Sequence, residues 1–138
     1  MNRPRVLDSW ILMAWLKDQP PGAAAMDRLW RSAAQGEVRL ILSLINLGEV
    51  YYLTARAKSV AAAGRVLEQL RAMSLEIWPV SEALVLEAAR LKARYAISYA
   101  DAFAAATAIS TEALLVTGDT EFRKLERDGV LELDWAGG

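Results

Sequence analysis

The side chains of this sequence best suited to chemistry are four widely separated acids, because the chain contains neither histidine nor cysteine. They are Asp8, Glu49, Asp101 and Asp119. Without imidazole or thiolate groups, hydrolysis has to use carboxylates, hydroxyls, lysine or a hard metal ion. Clustered carboxylates repel one another, and their oxygen atoms suit Mg²⁺ or Mn²⁺. The sequence therefore favours a metal centre, provided that the fold brings these acids together.

Glu49 is the most informative single position. Helical spacing puts it on the same face as Ile45, four residues before it, and Leu53, four residues after it. An ionised carboxylate without a partner on such an apolar face costs on the order of several kcal/mol. We therefore expect Glu49 to be neutral, bound to a metal, or paired with an arginine such as Arg56 or Arg90.

The other three acids each have a structural interpretation as well. Asp8 is suited to capping the helix that follows it, and Asp119 to the turn before Glu121. Ser98 and Asp101 match a capping box at the start of a helix. Taken singly these acids indicate little, so the argument depends on whether they converge.

The elements that must position them are short β-branched apolar runs alternating with longer helical patterns. This pattern predicts an α/β fold, with a mostly parallel central sheet of about five strands flanked by helices. Strands are expected at about 5–8, 38–42, 75–79, 113–116 and 130–134. Helices are expected at about 10–16, 23–34, 44–57, 60–73, 81–95, 99–110 and 121–126.

A parallel sheet of this kind binds ligands beyond the carboxyl ends of its strands, where the strand order reverses. Asp8 ends the first predicted strand and Asp119 follows the fourth, so the two share a crevice if these strands are neighbours. Asp101 begins a helix so rich in alanine that it must pack closely against something. The predicted topology thus allows the acids to converge.

Composition limits the other possibilities. With 138 residues, of which 54% are hydrophobic and 24% charged, the chain is expected to fold as one domain over 1–138. It contains no apolar run long enough for a membrane span, which favours a cytoplasmic protein with no membrane partner. The formal net charge of −1 gives no basic signature of the kind many nucleic-acid binders carry.

Four motifs contain the acids, in an order and spacing that form a specific pattern. They are Val6-Leu7-Asp8-Ser9, Asn46-Leu47-Gly48-Glu49-Val50, Ser98-Tyr99-Ala100-Asp101-Ala102-Phe103-Ala104-Ala105-Ala106 and Thr117-Gly118-Asp119-Thr120-Glu121-Phe122. Over nearly its whole length the chain resembles the PIN-domain ribonucleases, and within them the VapC-like toxins of bacterial and archaeal toxin–antitoxin pairs.

The resemblance implies that Asp8, Glu49, Asp101 and Asp119 bind the catalytic metal. It also implies RNA cleavage that inhibits translation, a cognate antitoxin as partner and a homodimer as the usual assembly. Three further residues gain a supporting role by the same resemblance. Ser9 and Thr117 are expected to supply hydroxyls, and Glu121 directly precedes the phenylalanine, where some relatives place the last acid.

The expected mechanism is hydrolysis in which Mg²⁺ or Mn²⁺ polarises the phosphate and lowers the pKa of an attacking water. Products should carry a 5′-phosphate and a 3′-hydroxyl, because a route through the ribose 2′-hydroxyl normally needs a base such as histidine. A groove between the first two helices, with Trp10 and Trp15, is the candidate antitoxin site. The candidate contacts to the RNA backbone are Arg56, Lys58, Arg123 and Lys124.

Two alternatives remain open at this stage. A non-catalytic binding scaffold would keep the same fold without activity. A phosphoryl-accepting receiver-like domain would also place an Asp after its first strand. The second is less consistent with the sequence, because receivers carry an acidic pair before that Asp, whereas no acid precedes Asp8.

Overall fold

A computed structural model describes residues 2–138, and its centre is a single sheet of five parallel strands. The strands are β1 (Arg5–Leu7), β2 (Leu40–Ser43), β3 (Glu76–Trp78), β4 (Leu114–Thr117) and β5 (Leu133–Trp135). Their order across the sheet is β3-β2-β1-β4-β5, so the direction in which the chain adds strands reverses between β1 and β4. The predicted five-stranded α/β architecture is confirmed.

Seven α-helices flank this sheet within the described residues. They are α1 (Ser9–Leu16), α2 (Gly22–Ala34), α3 (Leu44–Ala57), α4 (Val60–Ala72), α5 (Glu82–Arg94), α6 (Tyr99–Ser110) and α7 (Arg123–Arg127). The bounds predicted for α3 and α6 match the structure. The last predicted helix, over 121–126, is instead a 3₁₀ turn, Thr120–Phe122, followed by the short α7. No helix in the described part of the chain has the length and apolar character to cross a membrane.

Polar caps join strands directly to helices at the carboxyl edge of the sheet. The Asp8 side chain accepts a hydrogen bond from the Ile11 amide at 3.0 Å and so begins α1. Ser43 caps α3 through the amide of Asn46, at 3.1 Å. Because β1 and β2 lie side by side, both helices leave from the same part of this edge.

The two faces of the sheet bury separate apolar clusters, since successive side chains of a strand point to opposite faces. On one face Val6 and Leu115 pack among residues of α5 and α6. On the other face Leu7 and Val116 pack among residues of α1 to α4. The sheet is therefore covered on both sides, as a parallel sheet requires.

Helix α6 packs closely against its surroundings, as its alanine content predicts. Ala102, Ala104, Ala105, Ala106 and Ala108 are all completely buried. The helix contacts α5 on one side and β1, β2 and β4 on the other. Small side chains let its first turn lie close to the carboxyl edge of β1 and β4.

We predict that Ala104→Leu lowers the free energy of unfolding by about 1–3 kcal/mol, because the fully buried site leaves no room for a larger side chain. Urea denaturation measures the change. The matched control is Ala89→Leu on the exposed face of α5, which should change stability by no more than about 0.5 kcal/mol. Equal stability of the two variants would contradict the close packing around α6 in the structure.

Candidate metal centre

Asp8 is the most deeply buried acid of the candidate site, with 1% of its surface exposed. One carboxylate oxygen accepts from the Ile11 amide, and the other accepts from the hydroxyl of Thr117 on β4. The pKa of Asp8 is raised to about 7, chiefly by burial and in addition by the negative charges of Asp101 and Asp119, although the two hydrogen bonds oppose the rise. Asp8 is thus both a helix cap and an acid held where its charge is costly.

Asp101 lies in the first turn of α6, and its amide donates to the Ser98 side chain at 3.1 Å. The predicted cap is therefore present. Its carboxyl group is nonetheless buried, and this burial, together with the negative charges of Asp119 and Glu49, raises its pKa to about 7.

Asp119 and Glu121 complete a cluster of three acids with Asp101. Each of the three offers a carboxylate oxygen, and these atoms all lie within 4.8 Å of one another. Hydrogen bonds hold both the backbone and the side chain of Asp119. Its amide donates to Thr117 Oγ1 at 3.0 Å, and its Oδ1 accepts from the Glu121 amide at 2.9 Å. Thr117 therefore connects Asp8 and Asp119 through one hydroxyl group.

The position of Glu49 differs from the buried apolar face expected for it. Its side chain is partly exposed and lines the cleft that the other acids share. It forms no ion pair with any described residue, so the alternative pairing with Arg56 or Arg90 is wrong. Arg90 pairs with Glu87 at 3.0 Å, and Arg56 lies over the ring of Tyr52 at 5.0 Å.

Asn46 positions Glu49, and the sequence analysis did not single it out. This asparagine is completely buried, and its Nδ2 donates to the Ala100 carbonyl at 3.1 Å and lies 3.5 Å from Glu49 Oε1. Its Oδ1 accepts from the Ser43 hydroxyl. One side chain thus ties α3 to the residue before Asp101. A polar residue one helical turn before an acid was the available signal.

The acids open onto a cleft of about 560 Å³ beyond the carboxyl edge of β1 and β4. Glu49, Asp101 and Asp119 line it, together with Ser9 and Ser98. Asp8 lies behind this lining, and Thr117 is buried with it. The structure thus places the seven predicted site residues around one crevice, at the point where the strand order reverses.

Only some of the basic residues predicted to contact RNA lie at or near the acidic cleft. Arg56 lines the acidic cleft, and Lys58 lines a neighbouring groove. Arg123 instead lies 3.7 Å over the Trp135 ring, and Lys124 lies 4.0 Å from Asp128, so neither lines the cleft. Lys17, which the sequence analysis did not single out, lines it beside Arg56.

The donor set fits a hard divalent cation. Three carboxylate oxygens within 4.8 Å of one another can bind one ion together, and Mg²⁺ and Mn²⁺ prefer oxygen ligands. A cation would also offset the mutual repulsion that raises the pKa of Asp8 and Asp101.

A family model for the PIN domain matches residues 5–128 of this chain. The chain belongs to the PIN domain family. The match contains all four motifs that carried the resemblance, and the fold of the chain agrees with it. No curated protein is significantly similar to the sequence.

Solved toxin–antitoxin structures share the fold of this PIN domain at low sequence identity. VapBC2 of Rickettsia felis, bound to promoter DNA, superposes with a TM-score of 0.71 at 22% identity, covering 94% of this chain and 96% of that one. VapC20 of Mycobacterium tuberculosis, described as a sarcin–ricin loop cleaving toxin, gives 0.72 at 18% identity, covering 87% and 93%. FitAcB of Neisseria gonorrhoeae gives 0.65 at 24% identity, covering 88% and 93%.

We predict that the metal-free domain loses stability as the pH rises from about 4 to about 7. Asp8 and Asp101 have ordinary pKa values of 3.8 when unfolded and about 7 when folded, so the folded state holds their protons more tightly. The stabilisation from these protons is then fully present below the pKa of the unfolded state and is lost as the pH rises through the pKa of the folded state. The expected loss is on the order of a few kcal/mol, measured by denaturation in EDTA at a series of pH values.

The variant that tests the cause is Asp8→Asn, which keeps the shape of the side chain and removes its charge. It should be at least as stable as the wild type in EDTA at pH 8 and should show a flatter pH dependence. Asp18→Asn, at an exposed position outside the cleft, is the matched control and should keep the wild-type profile. An unfolded Asp8→Asn protein would mean that the carboxylate is required for the cap.

Proposed function

We propose that this PIN domain is a metal-dependent endoribonuclease. The observation that carries the proposal is the meeting of Asp101, Asp119 and Glu121 within 4.8 Å, beside Glu49 and the buried Asp8, in a chain without histidine or cysteine. Such a cluster is costly in the absence of a cation, and its position at the reversal of strand order is where ligands bind in folds of this class.

The residues that would hold Mg²⁺ or Mn²⁺ are Asp101, Asp119 and Glu121, with Glu49 beside them in the lining of the cleft. When bound, the ion would polarise the scissile phosphate and lower the pKa of a water molecule that attacks phosphorus in line. Asp8 adds negative charge behind the cluster. Its two hydrogen bonds keep its carboxylate fixed. Its position and its electrostatic field in the cleft are therefore expected to stay the same when RNA binds.

The hydroxyl of Thr117 and the amide of Asn46 orient the acids. Thr117 holds Asp8 and the Asp119 backbone in one arrangement, and Asn46 holds Glu49 relative to the first turn of α6. Ser9 lines the cleft at the first residue of α1, where its hydroxyl can reach a ligand. These contacts support assigning Asp8, Glu49, Asp101 and Asp119 to the active site, with Ser9, Thr117 and Glu121 in supporting positions.

The likeness to toxin–antitoxin structures extends the proposal to a biological role. We infer that the chain is the toxin of such a pair, that it acts on RNA in the cytoplasm to inhibit translation, and that it forms a homodimer. Its partner would be a small antitoxin protein. VapC20 is described as a toxin that cleaves the sarcin–ricin loop, and the matching fold and acidic cleft support a related activity here.

We infer that the antitoxin binds an apolar groove other than the one between α1 and α2 that the sequence indicated. Trp15 packs against Trp30 of α2, with ring centroids 5.4 Å apart, so these helices fill much of the space between them. An apolar groove of about 350 Å³ instead runs between α1, α3 and α4, and Lys58 and Arg65 line it. Its residues are Met13, Leu16, Lys17, Thr54, Ala57, Lys58, Ala62, Arg65, Val66 and Gln69. It suits the apolar face of a helix with acidic flanks.

We predict that protein freed of antitoxin cleaves RNA in Mg²⁺ or Mn²⁺ and leaves 5′-phosphate and 3′-hydroxyl ends. EDTA should abolish cleavage. Asp101→Asn should slow it roughly 10- to 100-fold or more, because it removes a carboxylate from the cluster. A pool of tRNA and rRNA is the substrate, and end mapping by ligation and sequencing is the measurement.

Asp18→Asn again serves as the matched control and should cleave at the wild-type rate. Cleavage that persists in EDTA would exclude the proposed chemistry. A folded protein that binds Mn²⁺, with the metal bound less well by Asp101→Asn, but cuts no RNA would establish the non-catalytic scaffold instead.

We predict that Val66→Arg reduces capture of the co-expressed antitoxin at least about tenfold, because it places a long charged side chain in the apolar groove. RNA cleavage by the purified variant should be unchanged. Leu86→Arg, at an exposed apolar position on α5, is the matched control and should retain the antitoxin. Equal capture by both variants would place the partner on another surface.

A further inference from the structure

The acidic cleft has two ends of opposite charge. Its walls are formed by α1, through Ser9, Trp10, Met13 and Lys17, and by α3, through Glu49, Leu53, Arg56 and Ala57. Ser9, Met13 and Lys17 are four residues apart, and Glu49, Leu53 and Ala57 are also four residues apart, so each set forms one stripe along its helix, with Trp10 and Arg56 beside it. Ser9 and Glu49 lie at the acidic end. Lys17 and Arg56 lie roughly 10–12 Å further along, at a rise of about 1.5 Å per residue.

The two cations at the far end lack carboxylate partners among the residues that the structure describes. Lys17 and Arg56 form no ion pair, although acids line the other end of the same cleft. Arg56 is held over the ring of Tyr52, 5.0 Å from its centroid, which leaves its N–H groups free to donate. This end therefore offers positive charge to an anion that enters the cleft.

Trp10 directly follows Ser9, at the acidic end of the cleft, and has a fixed orientation. A Cβ atom added to Gly118 would overlap the six-membered ring of Trp10, and one added to Gly22 would come within 3.0 Å of it. The indole is therefore wedged between the turn that precedes Asp119 and the start of α2. It stays partly exposed and lines the cleft, next to the acids. The part of this fixed indole that faces the cleft is a surface on which a planar group can stack.

We propose that this part of the cleft is a subsite for the nucleotide next to the scissile phosphate. Its base stacks on Trp10, and its outer phosphate is held by Lys17 and Arg56. The assignment rests on the proposed ribonuclease function and adds a substrate requirement to it. The nucleotide must be unpaired and unstacked, because a base within a duplex cannot lie on the indole.

Charge favours RNA over a protein segment as the occupant. A peptide that neutralised the carboxylates would bring positive charge into a cleft whose far end is already cationic. A nucleic acid presents phosphates to Lys17 and Arg56 and apolar base surface to Trp10, Met13 and Leu53. The phosphate at the acidic end is tolerated only with the divalent ion, which matches the proposed chemistry.

The test uses Asp101→Asn protein, in which cleavage is expected to be slow, and a fluorescent single-stranded RNA that spans a mapped cleavage site, in Mg²⁺. In this background Trp10→Leu should weaken binding roughly 5- to 100-fold, and Trp10→Phe should retain most of the affinity. Replacing the nucleotide beside the cut by an abasic one should weaken binding to Trp10 protein but have little further effect on Trp10→Leu protein. A purely structural role of Trp10 would not produce this dependence.

The cations are tested by the salt dependence of binding. Lys17→Gln and Arg56→Gln should each lower the slope of log K against log salt by about 0.7, the value for one phosphate contact on a single strand. Arg71→Gln, at an exposed position on α4 outside the cleft, is the matched control and should leave the slope unchanged.

The outcomes separate the subsite from the function on which it rests. Full cleavage by the wild type, with no effect of Trp10→Leu, Lys17→Gln or Arg56→Gln on binding, would overturn the subsite and leave the nuclease intact. Variants that bind RNA normally but lose the antitoxin would make this end a protein-docking surface and would also overturn it. If the protein cuts nothing but binds single-stranded RNA, with the stacking and salt effects lost in the variants, the cleft would be a nucleotide-binding site, and both the nuclease and the subsite beside a scissile phosphate would be refuted.

Discussion

The repulsion between carboxylates at the carboxyl edge of β1 and β4 is the constraint on which the rest of this structure depends. Burial and neighbouring negative charge raise the pKa of Asp8 and Asp101 to about 7, so the fold keeps these groups where an isolated carboxylate would be unstable. Packing and hydrogen bonding elsewhere must offset that cost in the metal-free protein. A cation bound to the cluster would relieve it, and ion binding would then be thermodynamically linked to folding.

The scaffold meets this constraint by making the same residues serve structure and site. Asp8 caps α1 and lies behind the cleft, and Asp119 caps the 3₁₀ turn and joins the acidic cluster. Thr117 connects these two through its hydroxyl. The structural interpretation of these acids and the functional one are thus compatible. A carboxylate that is fixed by a backbone amide loses little freedom when it binds an ion, which favours tight binding.

Local patterns in the sequence were sufficient for the elements and for the convergence of the acids. Helices α3 and α6 have strong periodicity and clear serine caps, and their bounds were predicted correctly. The edge strand β5 was placed too early, because its short apolar run is continuous with a loop that also carries apolar residues. The prediction of a buried apolar environment for Glu49 was wrong for a different reason. Periodicity shows which face of a helix a residue occupies, but not whether the partner helix covers that face or leaves a cleft.

The near-neutral net charge of the chain is a second property whose meaning depends on how the helices pack. It matters for the electrostatic interaction of the proposed nuclease with RNA. A formal net charge of −1 counts against nucleic-acid binding only if charges are spread evenly. In the folded domain, acids collect at one end of the cleft, while Lys17 and Arg56 remain without carboxylate partners at the other end. The electrostatic potential in the cleft depends on this separation and on any ion at the acidic end. The net charge of the chain does not indicate this potential. Spacing within a sequence cannot reveal the separation, because it arises where α1 and α3 pack side by side.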